Sequence, residues 1–294
     1  MTYKKALKEA YSLLKLNPQI SNPYLETEFL LSKVIKKKRE YFLAHSEEKI
    51  NLIKYFKFKY LIKKRFLNYP LAYLLKEKNF YNYNFKVNKH TLIPRPETEM
   101  IIDEILTLIE NDTQKKYEFL DIGTGSGNII ISLFLELKKK NLLRNIIKFW
   151  ALDISSKALK IAKINASKYK IEKEISFLKG NLLKPFFAKE NMAKNLIISA
   201  NLPYLTPREL KHQTIQYEPK LALLGGLDGL KYYHKLLKQI KNLKKYKTIH
   251  LFMEINNNQK NALSNMVLSF FKKAKIEIKK DQNDLFRLVY VEIN

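Results

Sequence analysis

Glycine is scarce in this sequence, and its placement constrains the fold more than any other feature. The chain has seven glycines among 294 residues, and six of them fall into two short clusters, at 123–127 and 225–229. Glycine is needed where the backbone takes a positive φ or where another group approaches it closely. The two clusters therefore predict two places where the backbone turns sharply or meets a ligand.

The pattern of apolar residues places the first cluster in an α/β domain. Strands are predicted at residues 117–122, 148–153, 174–179, 195–200, 248–255, 273–279 and 285–292, and helical patterns fill most of the gaps. This alternation predicts a sheet of seven mostly parallel strands with helices on both faces. The first glycine cluster directly follows the first of these strands and opens a helix.

Two other kinds of pattern precede this domain. Residues 1–76 carry only helical patterns, and the last of them ends before Pro70. Residues 80–87 alternate apolar and polar side chains, which predicts a β-hairpin. We therefore expect a small N-terminal helical domain at 1–76, a β-hairpin linker at 77–95 and the α/β domain at 96–294.

Charge alone does not define the partner of this protein. The formal net charge is +27, but nearly all of the 55 basic residues are lysine, a bias typical of AT-rich genomes. Specific readers of phosphates and bases favour arginine. Residues 1–78 hold 18 basic and 7 acidic residues, a net +11, so we expect this part to dock a negatively charged partner, either RNA or an acidic protein surface.

Missing residue types exclude several classes of protein. The sequence has no cysteine, which excludes a disulfide framework, a cysteine nucleophile and a thiolate metal site. The spacing of the histidines predicts no metal site. No apolar run approaches the roughly 18 residues of a membrane helix, and no secretory signal is evident. We expect a cytoplasmic protein without a membrane partner.

The first glycine cluster, Asp121-Ile-Gly-Thr-Gly-Ser-Gly127, resembles the Asp/Glu-x-Gly-x-Gly-x-Gly loop of Rossmann-like S-adenosylmethionine (SAM) methyltransferases. It departs from the dinucleotide fingerprint because its third glycine comes one residue early. The resemblance implies SAM as cofactor and a Rossmann-like methyltransferase sheet. It also implies that the cofactor is held by Asp121, Gly123, Thr124, Gly125 and Gly127.

Two further strand ends carry polar residues suited to the same cofactor. Asp153 ends the second predicted strand, where an acid can accept hydrogen bonds from both ribose hydroxyls, with Ile154 beside it. Asp153 also suits the N-cap of the helix that follows, and the two roles are compatible. Asn181, after the third strand, stands where related enzymes often have the aspartate that contacts adenine, and its carbonyl oxygen can accept the same hydrogen bond.

A tetrapeptide after the fourth predicted strand, Asn201-Leu-Pro-Tyr204, points to the reaction. It resembles the Asn-Pro-Pro-Tyr box of methyltransferases that alkylate a planar nitrogen, in an amide or an exocyclic amine. The side-chain oxygen of Asn201 and the backbone carbonyl of Leu202 can each accept one N–H of the target and so orient a poor nucleophile. Pro203 fixes the turn, and Tyr204 can pack on the planar group. The box alone leaves glutamine, adenine and a plain structural turn as alternatives.

Three flanking segments resemble the release factor glutamine methyltransferases, the HemK/PrmC family. These are the hairpin with Pro94-Arg-Pro-Glu-Thr-Glu99, the segment from Tyr217 through the second glycine cluster, and Met253-Glu-Ile255 with Gln259. The resemblance covers nearly the whole chain. The sequence departs from the family at Leu202, at Asn181, at Asn82-Tyr83-Asn84 and at Asn256.

The resemblance implies N5-methylation of the glutamine in the Gly-Gly-Gln loop of class 1 peptide chain release factors. Asn201 and Leu202 would clamp the amide, with Asn201 also close to the cofactor. The approach would be lined by Phe80, Phe85, Pro94 and Arg95 together with Pro203 and Tyr204. The basic helical domain would dock the release factor, nucleic acid would not be required, and the protein would be a monomer.

Two alternatives belong to other functional classes. One is an adenine N6-methyltransferase acting on RNA, favoured by the Asn-Leu-Pro-Tyr box and the lysine content. The other is a nucleic-acid or ribosome-binding protein that keeps a methyltransferase fold without catalysis. The complete glycine loop, Asp153 and Asn201 argue against loss of catalysis. A measurement of SAM binding distinguishes this non-catalytic protein from an enzyme.

Overall fold

The computed structural model describes residues 1–189, 193–211 and 215–294 and divides the chain into two units. The first unit holds Met1–Glu77 and the segment Gln213–Tyr217, of which 215–217 are described. The second unit holds Lys78–His212, which is described up to 211, and Glu218–Asn294. Among the described residues, no helix is both long and apolar enough to cross a membrane.

The first unit is helical, as the sequence predicts. Its helices are α1 (Tyr3–Leu14), α2 (Pro23–Ile35), α3 (Arg39–Ala44), α4 (Leu52–Phe66) and α5 (Leu71–Leu75). Polar caps define where three of them begin, because Thr2, Asn22 and Asn51 each accept a hydrogen bond from a backbone N–H of the first turn. Their apolar faces share one core that includes Leu14, Leu30 and Phe58. The short helices α3 and α5 were not predicted, because neither is long enough to show helical periodicity.

The second unit starts with a hairpin of β1 (Glu77–Phe80) and β2 (Tyr83–Lys86). Tyr81 and Asn82 form its turn, both at positive φ (51° and 63°). A two-residue turn of this kind demands positive φ at both positions, and asparagine tolerates it. The departure from the family at Asn82 is therefore compatible with the turn.

The rest of the second unit alternates strands and helices. Its strands are β3 (Tyr117–Ile122), β4 (Ile146–Asp153), β5 (Ile175–Lys179), β6 (Asn195–Ala200), β7 (Thr248–Glu254), β8 (Lys275–Lys280) and β9 (Phe286–Ile293). Its helices are α6 (Glu99–Asn111), α7 (Asn128–Lys139), α8 (Ser156–Lys168), α9 (Lys231–Ile240) and α10 (Lys260–Phe270). The strand order is β5-β4-β3-β6-β7-β9-β8, with β9 antiparallel to both neighbours and the other pairs parallel. The predicted seven-stranded, mostly parallel sheet is confirmed.

The strand order itself locates a binding edge. From β3 the chain proceeds to β4 and β5 on one side, and then returns to β6 and β7 on the other. Ligands of open α/β sheets bind at the carboxyl ends of the strands where the order reverses in this way. Ile122 at the end of β3 pairs in register with Leu152 of β4 and Ala200 of β6. The glycine loop, Asp153 and Asn201 therefore leave the sheet at one level.

Candidate active site

A pocket of about 400 Å³ opens at this edge of the sheet. Its size is within the range of pockets for small molecules and cofactors. The sequence-predicted residues that line it are Pro94, Arg95, Gly123, Thr124, Gly125, Asp153, Ile154, Asn181, Asn201, Leu202 and Pro203. The structure thus brings together residues from four strand ends and from the segment before α6.

The first glycine loop forms one wall of the pocket. Gly123, Gly125 and Gly127 all have positive φ (74°, 56° and 79°). The backbone N–H groups of Gly123 and Thr124 donate to the Leu152 carbonyl at 2.8 and 2.9 Å, which holds the loop against β4. A Cβ on Gly123 would lie 3.3 Å from Leu202 Cδ2, so the loop packs directly on the tetrapeptide. Gly127 is the N-cap residue of α7 and is absent from the described residues that line the pocket.

Asp121 lies beneath the loop rather than in the pocket. Its carboxylate accepts hydrogen bonds from Thr124 Oγ1 at 2.6 Å and Ser199 Oγ at 2.8 Å. Burial raises the pKa of Asp121 from 3.8 to about 6. Asp121 is absent from the described residues that line the pocket, but it holds Thr124, which does line it. A contact of Asp121 with the cofactor stays a prediction.

Asp153 presents a carboxylate that suits the ribose of SAM. Its Oδ2 accepts the Gly125 N–H at 2.9 Å and its Oδ1 accepts the Ser155 N–H at 2.8 Å. Each oxygen retains capacity for a further hydrogen bond, as two ribose hydroxyls require. Ser155 caps α8 by accepting from Ala158 N–H, so the N-cap role that the sequence left open for Asp153 belongs to Ser155.

The pocket also has room and polarity for the rest of this cofactor. A Cβ on Gly125 would meet no atom closer than the Gly123 carbonyl oxygen at 3.8 Å, so the loop faces open space there. Gly180, Asn181 and Leu182 line the pocket beyond the end of β5, where adenine would lie. The residues present therefore fit SAM.

Asn201 is held by two partners on different elements. Its Nδ2 donates to Thr98 Oγ1 at 3.1 Å and to Glu254 Oε2 at 2.8 Å. Both amide hydrogens are thereby engaged, which leaves Oδ1 as an acceptor. Asn201 and Leu202 line the pocket, and the Leu202 side chain is buried against the glycine loop.

Tyr204 contacts Glu254, the carboxylate that also holds Asn201. Its hydroxyl donates to Glu254 Oε1 at 3.1 Å, and it is absent from the described residues that line the pocket. Burial together with the nearby Glu254 raises the pKa of the Tyr204 hydroxyl well above its ordinary value. The Tyr204 hydroxyl therefore supports Glu254, and the packing of the Tyr204 ring on a substrate stays a prediction.

The second glycine cluster packs against the backbone of the tetrapeptide. A Cβ on Gly225 would lie 2.5 Å from the Pro203 carbonyl oxygen, and one on Gly229 would collide with the Tyr204 carbonyl oxygen. Gln259 Nε2 donates to that same Tyr204 carbonyl at 2.9 Å. These glycines are required because a neighbouring backbone occupies the space of their side chains.

Two substrate-lining predictions are corrected by the structure. Phe80 and Phe85 are fully buried, in a core cluster that also contains Ile105 and Phe119. Their rings pack edge to face, with centroids 6.1 Å apart. Both rings lie on the apolar face of the hairpin that packs in this core cluster, so neither lines the pocket.

Sequence reasoning did not assign the contacts of three further residues at the site. Thr98 and Glu254 hold Asn201, and Glu218 accepts the Ile93 N–H at 2.9 Å and pairs with Arg95. All three lie inside the segments that carry the family resemblance. Their position in these segments indicated that the three residues matter, but it did not show which atoms they contact.

Comparisons with known proteins agree with this geometry. A family profile described as "PrmC N-terminal domain" matches residues 5–75, and one described as "Methyltransferase domain" matches residues 113–287. The release factor glutamine methyltransferase of Bacillus anthracis is 34% identical over 293 residues, which cover 98% of each chain. The bifunctional methyltransferase of Rickettsia prowazekii is 33% identical over 270 residues, and the match spans 85% of this chain but 50% of that protein.

Solved structures show the same fold at low sequence identity. The catalytic domain of human METTL16, in complex with MAT2A 3′UTR hairpin 6, has a TM-score of 0.52 at 14% identity. The match covers 71% of this chain and 74% of that one. At this identity the likeness concerns the sheet and its helices alone.

Proposed function

This chain belongs to the release factor glutamine methyltransferase family, and we propose that Asn201 is the residue that orients the glutamine amide for methyl transfer. The protein is a SAM-dependent methyltransferase. Its reaction is methylation of the side-chain N5 of the glutamine in the Gly-Gly-Gln motif of class 1 peptide chain release factors.

One observation supports this assignment above the others. Thr98 and Glu254 engage both amide hydrogens of Asn201, so the group left for the substrate is the Oδ1 acceptor. A primary amide nitrogen has two N–H groups and needs acceptors to hold it in place. The Oδ1 of Asn201 accepts one of them, and the backbone carbonyl of Leu202 accepts the other.

The two acceptors also favour the chemical step. When bound, SAM supplies an electrophilic methyl group on a sulfonium. The amide nitrogen would form the new bond to the methyl carbon, and the electrons of the broken bond would stay on the cofactor's sulfur. Positive charge develops on the amide as this occurs, and oriented carbonyl dipoles stabilise it. One N–H proton then leaves to solvent, which restores a neutral N-methyl amide.

The charge of the pocket favours a neutral loop over a polyanion. Among the described residues that line it, arginine and lysine contribute only Arg95 and Lys235. Arg95 is already paired with Glu218. Nucleic-acid binding depends on cations that are free to contact phosphates, so the pocket favours glutamine over an RNA adenine.

The helical unit offers a surface suited to docking the body of the release factor. On α4, Leu52, Ile53, Phe56 and Tyr60 are between 56% and 80% exposed. Exposed lysines, including Lys54 and Lys57, lie between them. A contiguous exposed apolar stripe marks an interaction site, and the lysines select an acidic protein surface. We infer that the enzyme acts in the cytoplasm, where its substrate takes part in translation, and as a monomer.

A competition assay tests this function. Purified protein is incubated with labelled SAM, an unmethylated release factor and ribosomal RNA, and mass spectrometry locates the label. We expect label on the glutamine of the Gly-Gly-Gln motif and its loss when that glutamine is changed. Label on an RNA adenine would show that the enzyme belongs to the alternative class.

A further inference from the structure

Glu254 is a buried carboxylate at the end of β7 that lies between Asn201 and Tyr204. Its side chain is 2% exposed, and its two oxygens accept hydrogen bonds from Asn201 Nδ2 at 2.8 Å and the Tyr204 hydroxyl at 3.1 Å. The Thr98 hydroxyl also hydrogen-bonds to it. The carboxylate therefore accepts from three donors, two in the tetrapeptide and one in the segment before α6.

This arrangement determines which way the Asn201 amide points. In the opposite orientation, Asn201 Oδ1 would face the Glu254 carboxylate, and two acceptors would meet with no proton between them. Two amide hydrogens would then point toward the substrate, whose amide nitrogen also carries only N–H groups. The Glu254 contact therefore excludes the orientation that cannot bind the target.

The backbone around Glu254 is fixed as well. Tyr233 donates from its hydroxyl to the Glu254 carbonyl and, at 3.3 Å, to the Ala200 carbonyl immediately before Asn201. In the sheet, Met253 of β7 pairs with Ala200 of β6. The distance between Glu254 and Asn201 is thus set by the sheet and does not depend on a mobile loop.

We propose that Glu254 is a positioning residue that, with Thr98, locks the Asn201 amide so that its Oδ1 faces the target nitrogen. This inference rests on the proposed glutamine methylation. Glu254 touches neither cofactor nor substrate, and it acts on the rate through Asn201. Its loss lowers kcat at saturating substrate and leaves SAM affinity unchanged.

The charges and burial around Glu254 make kcat depend on pH if this role is correct. The pKa of Glu254 is raised from 4.5 to about 7, because burial and the nearby Glu97 raise it by more than Thr98, Tyr204 and Arg287 lower it. The ionised carboxylate accepts from all its donors, whereas the protonated form gives up one acceptor position. The kcat of the wild type therefore rises with pH through about 7 where Glu254 ionises.

Two single substitutions separate the acceptor from the charge. Glu254→Met removes the acceptor at similar volume, and we expect kcat to fall about 100-fold, as for a misplaced catalytic group. Glu254→Gln keeps a carbonyl oxygen for the Asn201 amide, so we expect a smaller loss and a kcat without the rise near pH 7. Glu118→Met is the matched control, because Glu118 is buried and accepts from Trp150 and Tyr246 at the other end of the sheet.

A reciprocal exchange gives the sharpest test. Asn201→Asp alone sets two carboxylates against each other. Adding Glu254→Gln gives the new carboxylate an N–H donor and frees its second oxygen for the substrate. Glu254→Gln should therefore lower kcat in the wild-type background but raise it about 10-fold or more in the Asn201→Asp background, a coupling of about 1.4 kcal/mol or more.

The outcomes distinguish this proposal from the function on which it rests. Wild-type protein that leaves the release factor unmethylated would overturn the proposed function. Wild-type activity with an unchanged kcat in Glu254→Met, or an additive double variant, would overturn the positioning role alone. An equal loss of kcat per folded molecule in Glu118→Met and Glu254→Met would show that the effect is not specific to the contact with Asn201, and would also overturn the positioning role.

Discussion

The guanidinium of Arg95 pairs with the carboxylate of Glu218, which lies 123 positions further along the chain. The same carboxylate accepts the buried Ile93 N–H at 2.9 Å. Glu218 therefore ties the segment before α6 to the segment that follows the tetrapeptide. Pro94 and Pro219, which flank this contact, both line the pocket.

The first prediction concerns Glu218→Ala. This change leaves the Ile93 N–H without its acceptor, so we expect the free energy of unfolding to fall by about 1–3 kcal/mol. The partly exposed Arg95 adds little to that loss, because solvent screens it. Urea denaturation measures the change, with the exposed Glu172→Ala as control. Equal urea midpoints for the two variants would contradict the role of Glu218.

The second prediction compares two glycines. Gly125→Ala places a side chain at a φ of 56° in open space, and we expect a loss of about 1–2 kcal/mol. Gly229→Ala has a φ of 76° and also collides with the Tyr204 carbonyl and Gln259, so its loss should be clearly larger. Denaturant unfolding of both proteins provides the comparison. A loss in Gly229→Ala no greater than that in Gly125→Ala would refute the close packing.

The third prediction concerns the cofactor. Asp153→Asn removes the charged acceptor at the ribose position, and such hydrogen bonds contribute about 1.5–3 kcal/mol, or about 10- to 100-fold in affinity. Calorimetry should show SAM affinity reduced by that factor, whereas the exposed Asp284→Asn should bind normally. Unchanged SAM affinity in Asp153→Asn would remove Asp153 from the site.

The fourth prediction is a pH dependence of stability. The pKa of Glu254 is about 7 in the folded state against an ordinary 4.5. Between these values the unfolded chain releases a proton that the folded protein keeps, so stability falls as pH rises from 4.5 to 7 and levels off above. Relative to Glu254→Gln, the wild type should lose up to about 3 kcal/mol across this window. Parallel stability curves for the two proteins between pH 4.5 and pH 8 would show that Glu254 does not titrate there.

The fold and the edge that holds the site were accessible from sequence. Because the chain has so few glycines, the two glycine clusters predicted where the backbone takes a positive φ or meets another group closely. The alternation of strand and helix patterns predicted the sheet. Asp153 and Asn201 were recognisable because Asp153 ends a predicted strand, Asn201 directly follows another, and parallel strands end at one edge. These inferences depend on local pattern and on one rule of sheet topology.

The remaining features of the site depend on which residues of neighbouring strands lie side by side and on how deeply each side chain is buried. Local sequence patterns do not determine either of these. Alternation showed that Phe80 and Phe85 share a face of the hairpin, but it could not show that this face packs on the core. The role of Glu254 arises from its position next to Asn201 on a neighbouring strand, 53 residues later in the chain. The burial of Asp121 and its contact with Thr124 likewise could not be predicted from the sequence.

The most direct test of the account compares wild type with Asn201→Ala. Both proteins are given SAM and an unmethylated release factor, mass spectrometry locates the methyl group, and calorimetry measures SAM affinity. We expect the wild type to methylate the amide of the Gly-Gly-Gln glutamine, and Asn201→Ala to bind SAM normally without methylating it. Methylation by Asn201→Ala at the wild-type rate would contradict the clamp.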